Sequence, residues 1–590
     1  MADAAGKLEQ ARESLAAGRA NQAKAAVQRV LRESPRDVEA NALMRAILLG
    51  QGQFAEALPF ARRAHEGATE DPANAMELGR LLAHLGQFAE AEKLLRRAVE
   101  DLPERGEGWH GFVAVLLSQQ KLAEALGVAR AARGRFAMNA AIGQQLATTL
   151  LELGRAAEAA EVLGGLLMDH GQNAQLVCNL ATVMNYAEGI DAQRIEQAHR
   201  NAGRVVGLSR MPKTIAHGKL DAGKRPVRVG FLSADLYSHS VAYFLEPLLE
   251  HLDRARFEAV CYATGVTEDE TTARLKKHAA LWRRVAALSD EAIGKQIAAD
   301  KIDVLIETSG LTAGHRLGSL LDHPAPVQMT WCGYPNTTGC SFIDVRVVDK
   351  VTDPAGAENR CVENLARVDG CFLCYRPDTA APAVSPLPAE HEGVITFGSF
   401  NNFAKVNEGL VRIWAKALNA VPRSRLLLKA AALAEAGTRE FITGWFAELG
   451  ITRERLVLLE PTRGKAEHLA AYGRVDIALD TYPYHGTTTT CEALWMGVPV
   501  VTLRGDRHAS RVGASLLRAA GLPELVASDE GNFVGIAARL AGDIGALAKI
   551  RVGLREKVRG SELCDARGFA ERFGCLIERE WRKRTGELQA

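Results

Sequence analysis

The sequence has almost no net charge, because 72 lysine and arginine residues balance 71 aspartate and glutamate residues over 590 positions. A protein that binds nucleic acid or a membrane surface needs an excess of positive charge on at least one domain, so neither partner is expected. The sequence also lacks any run of about 18 uncharged apolar residues, and its start has neither a signal peptide nor an arginine-rich presequence. These absences predict a cytoplasmic protein.

Cysteine and lysine are both sparse. The ten cysteines are scattered, which is typical of a reducing compartment rather than of a disulfide framework. The pair Cys371 and Cys374 lacks the second Cys-x-x-Cys of a zinc ribbon, so no structural metal is expected. Arginine supplies 53 of the basic residues and lysine only 19, so the position of a lysine is informative.

A period of 34 residues organises the first third of the chain. Two series follow it, with the second five residues after the first: Gly18, Gly52, Gly86, Gln120 and Gly154, then Ala23, Ala57, Ala91, Ala125 and Ala159. Glycine permits a tight turn and alanine lets two helices approach closely, so each unit is predicted to be a helix pair. Asp37 and Asp71 are predicted helix caps.

The pattern resembles the tetratricopeptide repeat, with five units in residues 1–170 followed by capping and spacer helices in 171–225. Such repeats stack into a superhelix whose concave groove binds peptides or extended protein segments. The alternative is that the repeats only dimerise or support the rest of the chain.

Short β-type runs alternate with helical stretches from residue 226 onward, which predicts parallel α/β sheets with ligands at the carboxyl ends of the strands. A proline-rich link at 377–390 and the length of the region predict two Rossmann-like lobes, 226–380 and 391–560. The predicted strands lie in these runs: RPVRVGFLSAD, RFEAVCYATG, KIDVLIETSG, APVQMTWCGYP, ITFGSFNN, SRLLLKA, RLVLLEP, VDIALDTYP and VPVVTLRG.

Polar residues concentrate just after several of these strands. Gly486 and the run Thr487, Thr488, Thr489 and Thr490 open a predicted helix. Backbone N–H groups, hydroxyls and the positive end of a helix dipole together suit a diphosphate. The spacing of a P-loop or a Gly-x-Gly-x-x-Gly motif is absent, which disfavours a nucleoside triphosphatase or a dehydrogenase.

Long motifs carry a family resemblance across residues 226 to 560: SADLYSHSVAYF, SGLTAGHRLG, HPAPVQMTWCGYPNTTG, FGSFNNFAK, DTYPYHGTTTTCEALWMGVPVVT and RGDRHASRVGASLL. The sequence resembles the O-linked N-acetylglucosamine transferases and SPINDLY-type protein O-fucosyltransferases of glycosyltransferase family 41. This resemblance implies a tetratricopeptide superhelix followed by an α/β GT-B fold, with a final helix at 561–590 that crosses back to the first lobe.

The resemblance also implies roles for individual residues. His239 and Lys405 match catalytic positions, where the lysine contacts the donor diphosphate and the histidine either takes the acceptor proton or hydrogen-bonds the donor. The implied donor-binding residues are Asn402, Lys465, His468, His485, Gly486, Thr487, Thr488, Thr489 and Glu492. Lys465 and His468 match positions around the base and ribose, and Glu492 matches an acidic residue near the ribose.

Further residues are possible contributors to the site. Asp235 either orients His239 or caps a helix, and His315 and His485 are possible contacts of donor or acceptor. Tyr334 and Pro335 are expected to shape the cleft. Arg511 is expected either to reach a phosphate or to form a salt bridge.

Two departures bear on the donor. Thr487 replaces a histidine and Asn402 a glutamine of the N-acetylglucosamine enzymes, which brings the chain nearer to the SPINDLY type. UDP-N-acetylglucosamine, GDP-fucose and a CMP-nonulosonic acid therefore all stay open as the nucleotide-sugar substrate. No Asp-x-Asp motif lies in the expected place, so catalysis is expected to need neither metal nor cofactor.

The expected function is transfer of a sugar to serine or threonine of acceptor proteins recruited by the repeat groove. Flagellin is a candidate acceptor, by analogy with bacterial relatives of this layout. The alternative is a tetratricopeptide scaffold with an inactive transferase-like domain. A homo-oligomer stays possible.

Overall fold

The structure is a computed structural model that describes residues 2–217 and 226–587. The chain divides into two compact units. The first unit runs to Leu150 and includes Glu435–Thr438, and the second comprises the remainder from Leu151 onward. Among the described residues, no helix is sufficiently long and apolar to cross a membrane.

The first unit is helical, and consecutive helices pack as antiparallel pairs around a core of small and aliphatic side chains. Asp37 and Asp71 cap two of these helices through hydrogen bonds to backbone N–H groups, as predicted. The helices are α1 (Ala2–Ala16), α2 (Ala20–Glu33), α3 (Val38–Gly50), α4 (Phe54–Gly67), α5 (Pro72–His84), α6 (Phe88–Asp101), α7 (Gly106–Ser118), α8 (Leu122–Arg135) and α9 (Ala140–Glu152), whose last two residues belong to the second unit.

The 34-residue period has a direct backbone cause. All five residues of the glycine series have a positive φ, between 58° and 75°, at the turn between two helices. Gln120 is the one residue of the series with a side chain in this left-handed region, which favours glycine. All five alanines of the second series are fully buried. The sequence period therefore records one turn and one close helix contact in each unit.

The second unit begins with α10 (Ala156–Asp169), α11 (Ala174–Met184) and α12 (Ala192–Gly207), and the last two share a hydrophobic core with the first lobe. Gly203 of α12 lies directly on the backbone of Gly339, since a Cβ at Gly203 would lie 1.9 Å from the Gly339 carbonyl oxygen. These spacer helices are therefore part of the first lobe's packing.

A seven-stranded parallel sheet forms the first lobe, in the order β3-β2-β1-β4-β5-β6-β7. The strands are β1 (Val227–Ser233), β2 (Phe257–Ala263), β3 (Leu281–Arg284), β4 (Val304–Glu307), β5 (Val327–Thr330), β6 (Val345–Val348) and β7 (Asn364–Arg367). The helices between them are α13 (Ser240–His251), α14 (Glu270–His278) and α15 (Asp290–Ala299).

A six-stranded parallel sheet forms the second lobe, in the order β10-β9-β8-β11-β12-β13. Its strands are β8 (Ile395–Ser399), β9 (Ser424–Lys429), β10 (Leu456–Leu459), β11 (Ile477–Leu479), β12 (Val500–Leu503) and β13 (Val526–Ala527). Its helices are α16 (Pro388–Glu392), α17 (Glu408–Ala420), α18 (Ala436–Glu448), α19 (Lys465–Ala470), α20 (Thr488–Trp495), α21 (Val512–Ala519), α22 (Glu530–Gly542) and α23 (Ile544–Arg559).

The last helix, α24 (Ala566–Thr585), packs against α13 and β5 of the first lobe. Phe573 lies 4.8 Å from the ring of Trp331, and Arg256 forms a bidentate pair with Glu578 at 2.9 Å. A helical repeat region followed by two parallel-sheet lobes confirms the fold class expected from the sequence.

Candidate active site

The loop between β11 and α20 is a tightly held turn at the carboxyl end of the second sheet. Asp480 holds it, because Oδ1 accepts a hydrogen bond from the N–H of Gly486 at 2.8 Å and Oδ2 accepts one from Thr502 Oγ1 at 2.6 Å. Gly486 leaves no space for a side chain, since a Cβ there would lie 2.5 Å from Thr489 Oγ1. Thr487 immediately precedes the helix. A firmly held loop therefore presents the N-terminus of α20.

The hydroxyls at the start of α20 differ in their partners. Thr489 Oγ1 donates to Asn401 Oδ1 at 2.8 Å, and Thr490 Oγ1 donates to the Gly486 carbonyl at 3.1 Å. Thr488 is buried, and its Oγ1 has no hydrogen-bond partner. An orphaned hydroxyl beside the free N–H groups of a helix N-terminus is suited to an anionic oxygen.

Lys405 lies beside this loop, at the end of a single helical turn that follows β8. Its Nζ donates to the backbone carbonyl oxygen of His485 at 2.8 Å and lies 4.2 Å from the centre of the Tyr484 ring. Burial lowers the pKa of Lys405 to about 8, although the negative charge of Asp480 opposes this shift. The ammonium is therefore charged at neutral pH but weakly hydrated.

Asn402 has a structural contact rather than a contact with the loop. Its Oδ1 accepts a hydrogen bond from the N–H of Ala404 at 3.0 Å and so caps the turn that carries Lys405. Its neighbour Asn401 instead contacts the α20 threonines, through Thr489. Asn402 therefore shapes the site through Lys405.

The structure corrects the expectation for the His485 side chain. The imidazole is fully buried, its Nδ1 accepts from the N–H of Gly513 at 3.0 Å, and its Nε2 lies 2.9 Å from the carbonyl oxygen of Leu503. These partners place the proton on Nε2, and burial lowers the pKa, so the ring is neutral. His485 contributes its backbone carbonyl to the site, and its side chain serves the core.

Four polar side chains form a connected cluster near the start of α20. Lys465 Nζ contacts Glu492, and His468 Nε2 lies 3.0 Å from Glu492 Oε2. On the other side of the imidazole, Lys429 Nζ lies 2.8 Å from His468 Nδ1. An ammonium only donates, so Nδ1 accepts and the imidazole proton lies on Nε2, where it is donated to Glu492. The cluster therefore holds His468 in one tautomer.

The charges of this cluster support one another. Burial alone would raise the pKa of Glu492, but the hydrogen bond from His468 and the charge of Lys465 lower it. Burial lowers the pKa of Lys429, and the charge of Glu492 opposes that shift. Lys465 also lies 4.7 Å from the ring of Tyr243 on α13, which joins the cluster to the first lobe.

Lys429 is not among the site residues that the sequence predicts. It is the last residue of β9, 6% exposed, and lies at the carboxyl edge of the same sheet as Lys405. Lysine is scarce in this sequence, and the run SRLLLK ends in a lysine directly after apolar residues, which is a signal that could have found Lys429.

His239 lies at the carboxyl end of the first sheet, where it precedes α13. Its Nδ1 accepts from the N–H of Val241 at 3.4 Å and lies 3.7 Å from Asp235 Oδ1. Burial raises the pKa of Asp235, and the nearby His239 opposes this rise. The imidazole is 39% exposed, so it is accessible to solvent.

His315 follows β4 in the loop next to this site. Its Nδ1 is buried without a hydrogen-bond partner, and burial lowers the pKa of the imidazole. The ring is therefore neutral at pH 7 and has one free nitrogen.

Tyr334 and Pro335, which were expected to shape the cleft, are both buried. The Tyr334 hydroxyl lies 3.0 Å from Asn185 Nδ2 and 2.8 Å from His199 Nε2, on the two spacer helices and their connection. These contacts fasten α11 and α12 to the first lobe.

Arg511 is also used within the protein. Its Nε donates to the carbonyl of Val351 at 2.7 Å and its Nη1 to that of Gly505 at 3.0 Å. The guanidinium therefore joins the first lobe to the second through backbone carbonyls rather than through a salt bridge, and its phosphate contact stays a prediction.

The two parallel-sheet lobes place Lys405 beside a helix N-terminus that suits an anion, at the carboxyl ends of the strands. This combination defines the class of nucleotide-binding transferases. The model of glycosyl transferase family 41 matches residues 192–376 and 386–573, more than half of the chain, and the chain belongs to this family. A tetratricopeptide repeat model matches residues 48–116.

The chain is more similar in sequence to relatives of the SPINDLY type than to those of the SEC type. A probable UDP-N-acetylglucosamine–peptide N-acetylglucosaminyltransferase SPINDLY from Arabidopsis thaliana is 40% identical over 411 residues, 69% of this chain and 45% of the relative. A probable enzyme of the same activity named SEC, from the same plant, is 31% identical over 314 residues, 52% of this chain and 32% of the relative. The chain thus spans less than half the length of these relatives.

A solved structure supports the architecture. A mutant of the Thermobaculum terrenum O-GlcNAc transferase is 31% identical, with a TM-score of 0.80 over 88% of this chain and 99% of that one. The helical region and both sheet lobes therefore follow a known arrangement.

Proposed function

We propose that the protein transfers a sugar from a nucleotide-sugar donor to serine or threonine hydroxyls of acceptor proteins. The observation that carries this proposal is the unpartnered Thr488 hydroxyl at the N-terminus of α20, beside a loop whose carbonyl holds Lys405. Family membership and the names of the relatives support the reaction class.

Charge on the protein stabilises the departing nucleotide in this mechanism. A lysine about 4 Å from a phosphate contributes roughly 4 kcal/mol at an effective dielectric of about 20. The helix N-terminus and the Thr488 hydroxyl add donors aimed at the same anion. Protein groups of this kind supply the positive charge that a metal ion supplies in other transferases.

The acceptor hydroxyl is oriented by His239 in this proposal. Because Nδ1 of His239 accepts from the N–H of Val241, the neutral imidazole carries its proton on Nε2. The exposed Nε2–H then donates a hydrogen bond. This favours a role of His239 in hydrogen bonding over a role as the general base that removes the acceptor proton. Asp235, 3.7 Å from Nδ1, stabilises the protonated ring when it forms.

A nucleoside diphosphate sugar is the proposed donor class. An α20 N-terminus with Lys405 beside it suits two phosphates, as in UDP-N-acetylglucosamine or GDP-fucose, better than the single phosphate of a CMP-nonulosonic acid. The cluster of Lys429, Lys465, His468 and Glu492 is proposed to hold the ribose and base.

The groove of the helical unit is proposed to hold the acceptor protein, with flagellin as a candidate modified in the cytoplasm before export. A cavity of about 470 Å³ opens on this unit, and apolar side chains of α3 to α6 line part of it, among them Leu49, Phe54, Leu81 and Phe88. Such a cavity suits an apolar anchor of an extended segment.

The test uses the purified full chain. Binding of UDP, GDP and CMP is compared by thermal shift. With the nucleotide sugar that contains the bound nucleotide, donor hydrolysis and the increase in mass of an acceptor protein are then measured. Lys405→Met is expected to keep the fold and to slow transfer by about a hundredfold to a thousandfold. Lys416→Met removes an exposed lysine paired with Glu530 at 2.6 Å and is the control.

The outcomes separate the two functions considered. A transferase is supported if the wild type binds one nucleotide and hydrolyses the corresponding nucleotide sugar, and if Lys405→Met loses both properties. Absence of nucleotide binding and hydrolysis in the wild type would instead identify a scaffold with an inactive domain.

A further inference from the structure

Tyr186 contacts the Lys405 region from outside the part of the chain that the family model matches. It lies in the connection between α11 and α12, before residue 192, where the match begins. Its ring stacks on the ring of Tyr484, with centroids 4.6 Å apart and planes inclined by 28°. The ammonium of Lys405 also lies against the Tyr484 ring, 4.2 Å from its centre.

We propose that Tyr186 is a positioning residue for Lys405, which it places by supporting the Tyr484 ring from behind. The proposal rests on the proposed function, because that function gives Lys405 its role at the departing nucleotide. It extends the machinery of the site to the spacer helices, which the sequence assigned only to capping.

The backbone next to Lys405 is held by another part of the helical region, the turn between α9 and α10. Gly154, in the turn before α10, lies against the carbonyl of Val406, since a Cβ at Gly154 would lie 1.7 Å from that oxygen. On the other side, Asn407 Nδ2 donates to the carbonyl of Tyr482 at 2.9 Å. Lys405 therefore lies between the turn that precedes α10 and the loop that precedes α20.

Aromatic support suits a buried ammonium. The face of a tyrosine ring attracts a cation, by about 0.5–2 kcal/mol depending on burial, and excludes water from it. Burial raises the pKa of both Tyr186 and Tyr484, so the two phenols are neutral at working pH. The ionisable groups near these side chains are Asp480 and His485 at Lys405, Glu152 at Tyr186 and Tyr334 at Tyr484.

Three variants of the full chain test the inference. Tyr186→Leu removes the stack but keeps apolar volume, and Tyr186→Phe keeps the stack. Glu188→Ala is the matched control, because Glu188 lies in the same connection, is exposed and contacts Arg412 at 3.5 Å rather than Tyr484. An aromatic stack is worth about 0.5–1.5 kcal/mol, so Tyr186→Leu should lower kcat about 2- to 13-fold with little change in the donor KM. The other two variants should stay within about twofold of the wild type.

A second readout does not depend on transfer. Labelling of Lys405 by an amine-reactive reagent, followed by peptide mass spectrometry across a pH series, reports the hydration and the pKa of this ammonium. Tyr186→Leu should raise the pKa of Lys405 toward that of a free lysine and change its labelling, whereas Tyr186→Phe and Glu188→Ala should leave both unchanged.

Unchanged kcat and labelling in Tyr186→Leu would overturn the inference, as would an equal effect of Tyr186→Phe or Glu188→Ala. If the wild type shows no transfer or hydrolysis, the proposed function fails, and the labelling experiment alone still decides whether Tyr186 positions Lys405.

Discussion

The ammonium of Lys405 lies 2.8 Å from the backbone carbonyl oxygen of His485, a residue 80 positions further along the chain. Through this contact the lysine is tied to the loop before α20, which Asp480 in turn holds by its bond from the N–H of Gly486. Contacts within the protein thus place a cation beside a helix N-terminus, and in the proposed function their charges act on one anion without reorganisation.

Transfer should fall as the pH rises through about 8. Burial lowers the pKa of Lys405 to about 8, so the charge that stabilises the departing nucleotide is present below that pH and is lost above it. The rate should decline about tenfold per pH unit on the alkaline side. The profile of kcat/KM against pH measures this limb, because it reports the pKa values of the enzyme without bound donor.

Lys405→Arg provides the control for the pH profile. A guanidinium keeps its charge in this pH range, so this variant should be slower but should lack the alkaline limb. An alkaline limb of the same position in Lys405→Arg would show that another group titrates.

Thr488→Val should separate stability from nucleotide binding. Because Thr488 Oγ1 is buried without a partner, its removal should leave the free energy of unfolding unchanged or raise it by about 1 kcal/mol. Nucleotide affinity should fall about threefold to tenfold, because a donor to the anion is lost. Thermal unfolding and calorimetric titration measure the two quantities.

Thr490→Val is the matched comparison for this prediction. Thr490 Oγ1 already donates to the Gly486 carbonyl, so its loss should destabilise the protein by about 1 kcal/mol. Equal effects of the two substitutions on stability would contradict the assignment of Thr488 as a hydroxyl kept for a ligand.

Lys429→Met should release His468 from its single tautomer. The ammonium of Lys429 donates to His468 Nδ1, and without it the imidazole proton is free to move to that nitrogen. Nucleotide affinity should fall about tenfold to a hundredfold, since a hydrogen bond from a charged group contributes about 1.5–3 kcal/mol. Titration calorimetry and the ¹⁵N shifts of His468 measure both effects.

Lys416→Met is the control, because it removes an exposed lysine from the same lobe. It should change neither the nucleotide affinity nor the ¹⁵N shifts of His468. An unaltered ¹⁵N spectrum of His468 in Lys429→Met would show that Lys429 does not set the tautomer.

Gln120→Gly should stabilise the helical unit. The φ of Gln120 is 58°, where a side chain costs about 1–2 kcal/mol, and the extra entropy of an unfolded glycine offsets part of the gain. We expect a net stabilisation of about 0.5–1 kcal/mol, measured by hydrogen exchange of the amides of α7 and α8. Gly86→Ala should destabilise its own turn, and a gain in that variant would contradict the argument.

The central strands were predictable because apolar runs between polar loops mark strands buried on both faces. The strands that the sequence analysis missed are β3, β7 and β13 at the sheet edges, and β6 beside one edge. Edge strands are short and carry polar residues, as the two arginines of β3 do, so their pattern differs little from that of a loop.

The site residues divide along a similar line. Lysine scarcity and the threonine run directed attention to Lys405 and α20, whereas the roles expected of the His485 and Arg511 side chains depended on orientation. Both side chains face backbone carbonyls, a choice made by the packing around them. Residue type and spacing state which chemistry is available but not where a side chain points.

The sequence by itself determined the repeat period, the helix caps and the order of the nine predicted strands, because these depend on backbone preferences and side chains within a few residues. Only the tertiary structure decided that Tyr186 stacks on Tyr484 beside Lys405, and that Lys429 contacts His468. Those contacts join segments far apart in the chain, and they exist only when the sheet brings its strand ends to one edge and the spacer helices pack beside them.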